Sequence, residues 1–135
     1  GSRGVPARYS GFETVVEVDP DLMEWDYGAD EGRTSEQIRA ERPDWTIWNT
    51  GPLDGESVDS VGSRVDRVIA AALSRRGDTL AFAHGHVLRV LAARWIGLPP
   101  AAGGSFALGT ATVSILGWDG EAPVIRRWNV GDGLD

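Results

Sequence analysis

Residues 80–89, Leu-Ala-Phe-Ala-His-Gly-His-Val-Leu-Arg, decide the reading of this chain. Leu80 to Ala83 is a short apolar run of the kind found in strands buried on both faces. His84-Gly85-His86 then opens a helical pattern from Val87 to Ile96, which Gly97-Leu98-Pro99-Pro100 stops. In open α/β sheets, ligands gather beyond the carboxyl ends of strands, which is where His84 falls. Gly85 permits close backbone approach, and the free amides and positive dipole end of the following helix suit an anion such as phosphate.

Upstream, Gly55-Glu56-Ser57 is a helix-start signal, followed by Val58, Val61, Val65, Val68, Ile69, Ala72 and Leu73 at helical spacing, and Gly77 is read as the end of that helix. Thr34 and Gln37 have the spacing of a capping box, which predicts a short helix over 35–41 ended by Pro43. Trp45 and Trp48, three apart, predict a further helical turn that buries both. Thr14 to Val18 reads as a short strand, and residues 110–116 and 123–130 read as two strands joined through Asp119-Gly120. Residues 1–11 are Gly/Pro-containing and aperiodic, an irregular leader or an appended remnant before a domain over 12–135. Helix, strand and helix alternate, so the expected class is α/β.

Composition excludes several chemistries. The 135 residues suit one globular domain, and no apolar run approaches the roughly 18 residues of a membrane span, so a soluble, cytoplasmic protein is expected. With no Cys there are no disulfides, thiolate metal sites or thiol nucleophiles. All 13 basic residues are Arg, which removes Schiff-base lysines and Walker-type phosphate loops. A net charge of -7 opposes nucleic-acid binding. His84-x-His86 is also a metal-ligand spacing, but it lacks further ligands and has cationic Arg89 as its neighbour. Asp26, Asp30 and Glu31 lack the alternation of a calcium loop. No metal and no cofactor are expected.

Three segments in order carry a resemblance. Ala81 to Leu91 (AFAHGHVLRVL) resembles the strand followed by His-Gly-x-x-x-Arg of the histidine phosphatase, or phosphoglycerate-mutase-like, superfamily. Leu22 to Gly32 (LMEWDYGADEG) is similar to its Glu-x-x-x-Gly-x-x-x-Gly region, and Pro52 to Arg64 (PLDGESVDSVGSR) to its Pro…Gly-Glu-Ser…Arg helix entry. The Glu24-to-Gly28 wording and the following IRAERPDW resemble a bacterial acid-phosphatase branch. The resemblance runs from about residue 12 to about residue 130. It implies a three-layer α/β/α sandwich and a phosphomonoester hydrolase acting through a phosphohistidine on a phosphorylated small molecule. Glu24 would be the general acid/base and His84 the second histidine on the transferring phosphoryl group, with Tyr27, Gly85 and His86 bordering the substrate. Read from the residues alone, His86 and Trp25 are structural, and Arg89 is an ion-pair partner supporting the loop. The compact stretch between Tyr27 and His84 favours phosphatase over mutase.

One departure stands out. The family's Arg-His-Gly triplet, whose His is phosphorylated, does not occur in this sequence. The expectation is an N-terminally incomplete fold, inactive on its own, in which the run at 80–83 exposes unpaired backbone and apolar surface. That surface invites self-association or pairing with the absent segment. The alternative function is a degenerate member that binds an anion or a partner chain without turnover.

Overall fold

The computed structural model describes residues 4–9, 12–75 and 78–131, with residues 4–17 as backbone only. Helix α1 spans Ser35–Glu41, and the capping box forms as its spacing predicts: Thr34 Oγ1 accepts from the Gln37 amide at 3.1 Å and Gln37 Oε1 from the Thr34 amide at 2.9 Å. Helix α2 spans Val58–Leu73, with Ser57 as its side-chain cap on the Ser60 amide. The stripe Val61, Val65 and Val68 is buried, as a 3.6-residue period requires. Helix α3 spans Gly85–Trp95 and buries Val87, Val90, Ala92 and Ala93. It packs on α2, and the Arg94 fork grips Asp66 of α2 at 2.8 and 3.1 Å. None of these helices is long and apolar enough to cross a membrane.

Among the described residues the strands form two antiparallel pairs. β3 (Val113–Asp119) and β4 (Ala122–Val130) are the expected hairpin, turning through Gly120 at φ +62°. It docks on α3 through the Trp95 indole, whose N–H is shared by the Gly117 and Val124 carbonyls, both at 3.1 Å. At the start, β2 (Phe12–Glu17) pairs with β1 (Gly4–Tyr9), so residues 4–9 are a strand where the sequence reads as irregular. Pro6 is tolerated there because a two-stranded sheet consists only of edges. Gly77 lies outside the described residues, and Ser74 is the C-cap of α2.

Two further expectations are corrected. Residues 80–83 form no strand, and Leu80 and Phe82 are 77% and 82% exposed. An apolar run states only that burial would be favourable; a strand also needs a ladder partner, and none of the described residues supplies one. The segment around Trp45 and Trp48 is a non-helical turn, in which Trp45 is buried and Trp48 half-buried. Trp45 is held by its N–H on the Gly51 carbonyl at 2.7 Å, a tie that helical spacing does not require.

The core joins Val61 and Val65 of α2, Val87 and Val90 of α3, Ile38 of α1, and Trp25, Trp45 and Ile47 from the intervening loops. Gly62 lets α2 approach a 3-10 turn, since a Cβ there would lie 2.3 Å from Pro100 Cγ. For Gly62→Ala, a helix-propensity gain of about 1 kcal/mol opposes an overpacking cost of about 1–3 kcal/mol. A net loss is expected in urea unfolding, whereas Ser63→Ala on the exposed face should stay within about 0.5 kcal/mol of the native chain.

Candidate active site

The loop that carries Glu24 has no regular ladder, so its backbone polar groups need partners from elsewhere. Arg64 of α2 supplies two of them, donating to the carbonyls of Asp21 at 2.9 Å and Met23 at 2.8 Å. The same guanidinium forks onto Glu56, Nε to Oε2 at 2.8 Å and Nη2 to Oε1 at 2.9 Å. Glu56 in turn holds the loop: its carbonyl accepts from the Trp25 indole at 2.8 Å, and its amide donates to the Asp26 carbonyl at 2.8 Å. Burial pushes the Glu56 carboxyl up, but Arg64, Ser60 and the Asp26 amide outweigh burial and hold it below the ordinary range.

Gly28 continues this stitching. Its φ is +54°, and a Cβ would lie 2.4 Å from the Asp54 carbonyl carbon, so only glycine fits where the two loops touch. Beyond it, buried Asp30 accepts from Arg42 at 2.6 and 2.8 Å and from the Leu53 amide at 2.9 Å. Those bonds, Arg42 first, hold its carboxyl below the usual range.

Glu24 is thereby fixed between anchored Met23 and buried Trp25 and is itself exposed. The Tyr27 phenol lies 2.8 Å from His86 Nδ1. Burial first, then the nearby charges of Glu24 and Glu31, push Tyr27 up to about 12, so the phenol keeps its proton. Burial also pushes His86 down, Arg89 adds to this and Glu24 opposes it, which leaves a neutral ring at pH 7. That ring is walled edge-on by Trp25, Tyr27 and Trp48, with centroids 6.0, 5.9 and 5.6 Å away.

The structure therefore brings Tyr27 and His86 into contact, with the charge of Glu24 near enough to act on both. His84 is the exposed N-cap of α3, and its side chain caps no amide. Gly85 beside it is open, with nothing within 4 Å of a would-be Cβ. Chemically, this sets an exposed carboxyl group next to an un-ionised phenol and an imidazole, near helix amides that face solvent. Among the described residues, no three His, Cys, Asp or Glu side chains group as metal ligands would.

Arg89 supports a loop, as expected, but among the described residues it does so without an ion pair. It donates to the carbonyls of Gly103 at 3.1 Å and Gly104 at 3.2 Å, and lies over the Trp48 ring at 4.9 Å. The roles of Glu56 and Arg64 in holding the Glu24 loop are missed by sequence reading, although both sit in the quoted Gly-Glu-Ser…Arg segment. The spacing signals a helix start and carries no information about which carbonyls the arginine reaches. Asp30 has no signal at all, being one of several acids in its loop.

The model of the histidine phosphatase superfamily (branch 1) matches residues 7–131. The chain belongs to this superfamily. Among curated relatives, an acid phosphatase of Mycobacterium tuberculosis is 45% identical over 115 residues, 84% of this chain and 56% of the relative. A sedoheptulose 1,7-bisphosphatase of Saccharomyces cerevisiae is 41% identical over 101 residues, 62% of this chain and 37% of the relative. Among solved structures, the product of a Mycobacterium tuberculosis open reading frame superposes with a TM-score of 0.79 at 40% identity, covering 82% of this chain and 58% of that one. The alpha-ribazole phosphatase of Shigella flexneri gives 0.65 at 26% identity, covering 82% and 59%. The chain thus spans little more than half the length of these relatives, and less of the bisphosphatase.

In this histidine phosphatase chain, removing the Arg64 fork should loosen the Glu24 loop. Arg64→Ala is expected to cost about 1–3 kcal/mol at pH 7, because the half-buried Glu56 carboxylate loses its partner. Glu56 is depressed when folded, so its contribution is present above the unfolded value of about 4.3 and is lost as pH falls through the folded one. Urea midpoints should therefore differ more between the native and Arg64→Ala chains at pH 7 than at low pH, where only the lost bonds to the Asp21 and Met23 carbonyls still separate them.

Proposed function

We propose that this chain forms part of a phosphomonoesterase of the acid-phosphatase type, acting on a phosphorylated small molecule through a phosphohistidine whose histidine lies outside this sequence. The external nitrogen attacks phosphorus while the ester oxygen leaves, taking a proton from the Glu24 carboxyl group. Water then attacks phosphorus as the P–N bond breaks, gives its proton back to the Glu24 carboxylate, and phosphate leaves with the histidine freed. His84, Gly85 and the first amides of α3 neutralise charge on the phosphoryl oxygens throughout, and Tyr27 borders the substrate.

The observation that carries this reading is the 2.8 Å contact between Tyr27 and His86, 59 residues apart. It joins the loop of Glu24 to the helix start of His84, bringing an acid and an anion-suited helix end to one place. The bare apolar run at Leu80 and Phe82 supports the second half of the proposal. In the complete three-layer sandwich, residues 80–83 pair as a strand with the segment that brings the nucleophile, or with another copy of the chain.

The chain alone is expected to release no phosphate above background from an aryl phosphate. Steady release that His84→Ala abolishes would overturn the external nucleophile.

When the chain is joined to a segment bearing Arg-His-Gly, deletions at the two sites should differ. Glu24→Gln should slow phosphoenzyme formation strongly from alkyl phosphates and far less from nitrophenyl phosphate, whose phenolate leaves without a proton. His84→Ala should slow both by on the order of 10²-fold or more, since phosphoryl charge develops whatever the leaving group. Single-turnover rates on the two substrates measure the ratio; equal losses in Glu24→Gln would remove Glu24 from the acid role.

A further inference from the structure

Beside the Tyr27–His86 contact lies a cleft of about 270 Å³ that the proton and phosphoryl roles above leave unused. Tyr27 and His86 both line it, so it adjoins the residues that join the Glu24 loop to the helix start of His84. Its further walls come from α1 and the Trp45 loop, as Ile38, Trp45 and Ile47.

The polar groups in these walls are already engaged. The Trp45 N–H is held by the Gly51 carbonyl at 2.7 Å and has nothing left to offer a ligand. The Tyr27 phenol is paired with His86 Nδ1. Asp30 is covered by Arg42 and the Leu53 amide. The arginine among the lining residues, Arg33, has its two terminal nitrogens on Glu41 at 3.1 and 2.9 Å, with Asp30 at 3.5 Å. Glu31 adds an exposed carboxylate to the rim.

A second phosphate on a substrate would therefore meet an acid, and a cation that acids already hold, and would lose water without gaining bonds. A neutral hydrocarbon group has no such cost and gains by leaving water. Binding clefts for small molecules run from about 300 Å³ upward, so this one suits a group of one ring rather than a nucleotide.

We propose that this cleft holds the alcohol part of the substrate, and that this part is apolar, about one ring in size and free of a second anionic group. The proposal deepens the phosphomonoesterase reading and rests on it. The phosphate chemistry stays with Glu24 and His84, whereas the choice among phosphate esters lies with Ile38, Trp45, Ile47 and Glu31.

Binding is read on the chain itself. With ¹⁵N-labelled indoles, the Trp45 signal, assigned by Trp45→Phe, should shift saturably with 2-phenylethanol and stay in place with glycerol at the same concentrations. Ser35→Phe sets a ring into the cleft from the exposed start of α1, and should weaken 2-phenylethanol by about tenfold, the order of what burying one ring is worth. Amide spectra verify that the variant keeps the fold. No saturable shift, an equal shift with glycerol, or an unchanged affinity in folded Ser35→Phe would overturn the proposal.

Charge exclusion is read on the chain joined to a segment bearing Arg-His-Gly. The substrates are 2-phenylethyl phosphate and butane-1,4-diol bisphosphate, whose leaving oxygens are both those of primary alcohols. The first should be favoured in kcat/KM by about tenfold or more, and Glu31→Arg should narrow that ratio by raising the rate on the bisphosphate. Equal rates on the two, or a ratio that Glu31→Arg leaves unchanged, would overturn the proposal and leave the phosphomonoesterase reading standing. Hydrolysis of neither would overturn that reading, while the Trp45 shift would still report an apolar cleft.

Discussion

The Arg64 guanidinium is the fixed point of this molecule. It projects from the most regular element, α2, and reaches two loop carbonyls and the Glu56 carboxylate together. A planar fork with five N–H donors can do this; an ammonium group carries fewer donors in no fixed plane. Arg67 of the same helix grips the Asp21 carboxylate, so the position of the Glu24 loop follows from where α2 places its arginines. Glu56 completes the tie by offering its carbonyl to Trp25 and its amide to Asp26. An exposed glutamate is thereby carried between a backbone-anchored Met23 and a buried Trp25, which holds its position without burying its charge.

A second layer builds on that anchor. Once Trp25 is fixed, its ring meets Trp48 at 5.6 Å and His86 at 6.0 Å, both edge-on. Arg89 covers Trp48 and closes onto the Gly103 and Gly104 carbonyls, so the aromatic group is held from the loop on one side and from α3 on the other. Burial first, and then the positive charge of this guanidinium, push His86 down. Packing and electrostatics at the site are here consequences of the same side chain. The paired cation and carboxylate of Arg42 and Asp30 do similar work at the far end of the loop, where a buried acid without its partner would be costly.

Much of this was legible in the sequence where the determinants are local. The Thr34–Gln37 box, the Val61, Val65, Val68 stripe and the Asp119-Gly120 turn each specify hydrogen bonds between residues a few positions apart, so α1, α2 and the β3–β4 hairpin follow from reading them. The three signature segments likewise identify the superfamily, because family likeness is a property of residue order. They also single out Tyr27 and His86, which the fold brings into contact across 59 residues. His84 and Gly85 were legible as the opening of a helix, and the fold leaves them there, exposed and without the strand expected before them.

What only the tertiary structure decided is which distant groups satisfy one another. The run at 80–83 has the composition of a strand, yet a ladder is made with a neighbour, and composition cannot name one; the segment stays unpaired and bare. Arg89 has the charge of an ion-pair partner, yet its donors are equally served by carbonyls, and the approach of Gly103 and Gly104 chose those. The Glu56–Arg64 tie and the Tyr27–His86 bond depend on directions that side chains take after α2 and α3 have packed. Periodicity and caps are written along the chain and act within a turn or two. Donors and acceptors far apart in sequence meet only when folding has brought their elements together, and there the geometry of the folded chain selects among partners that the sequence leaves equivalent.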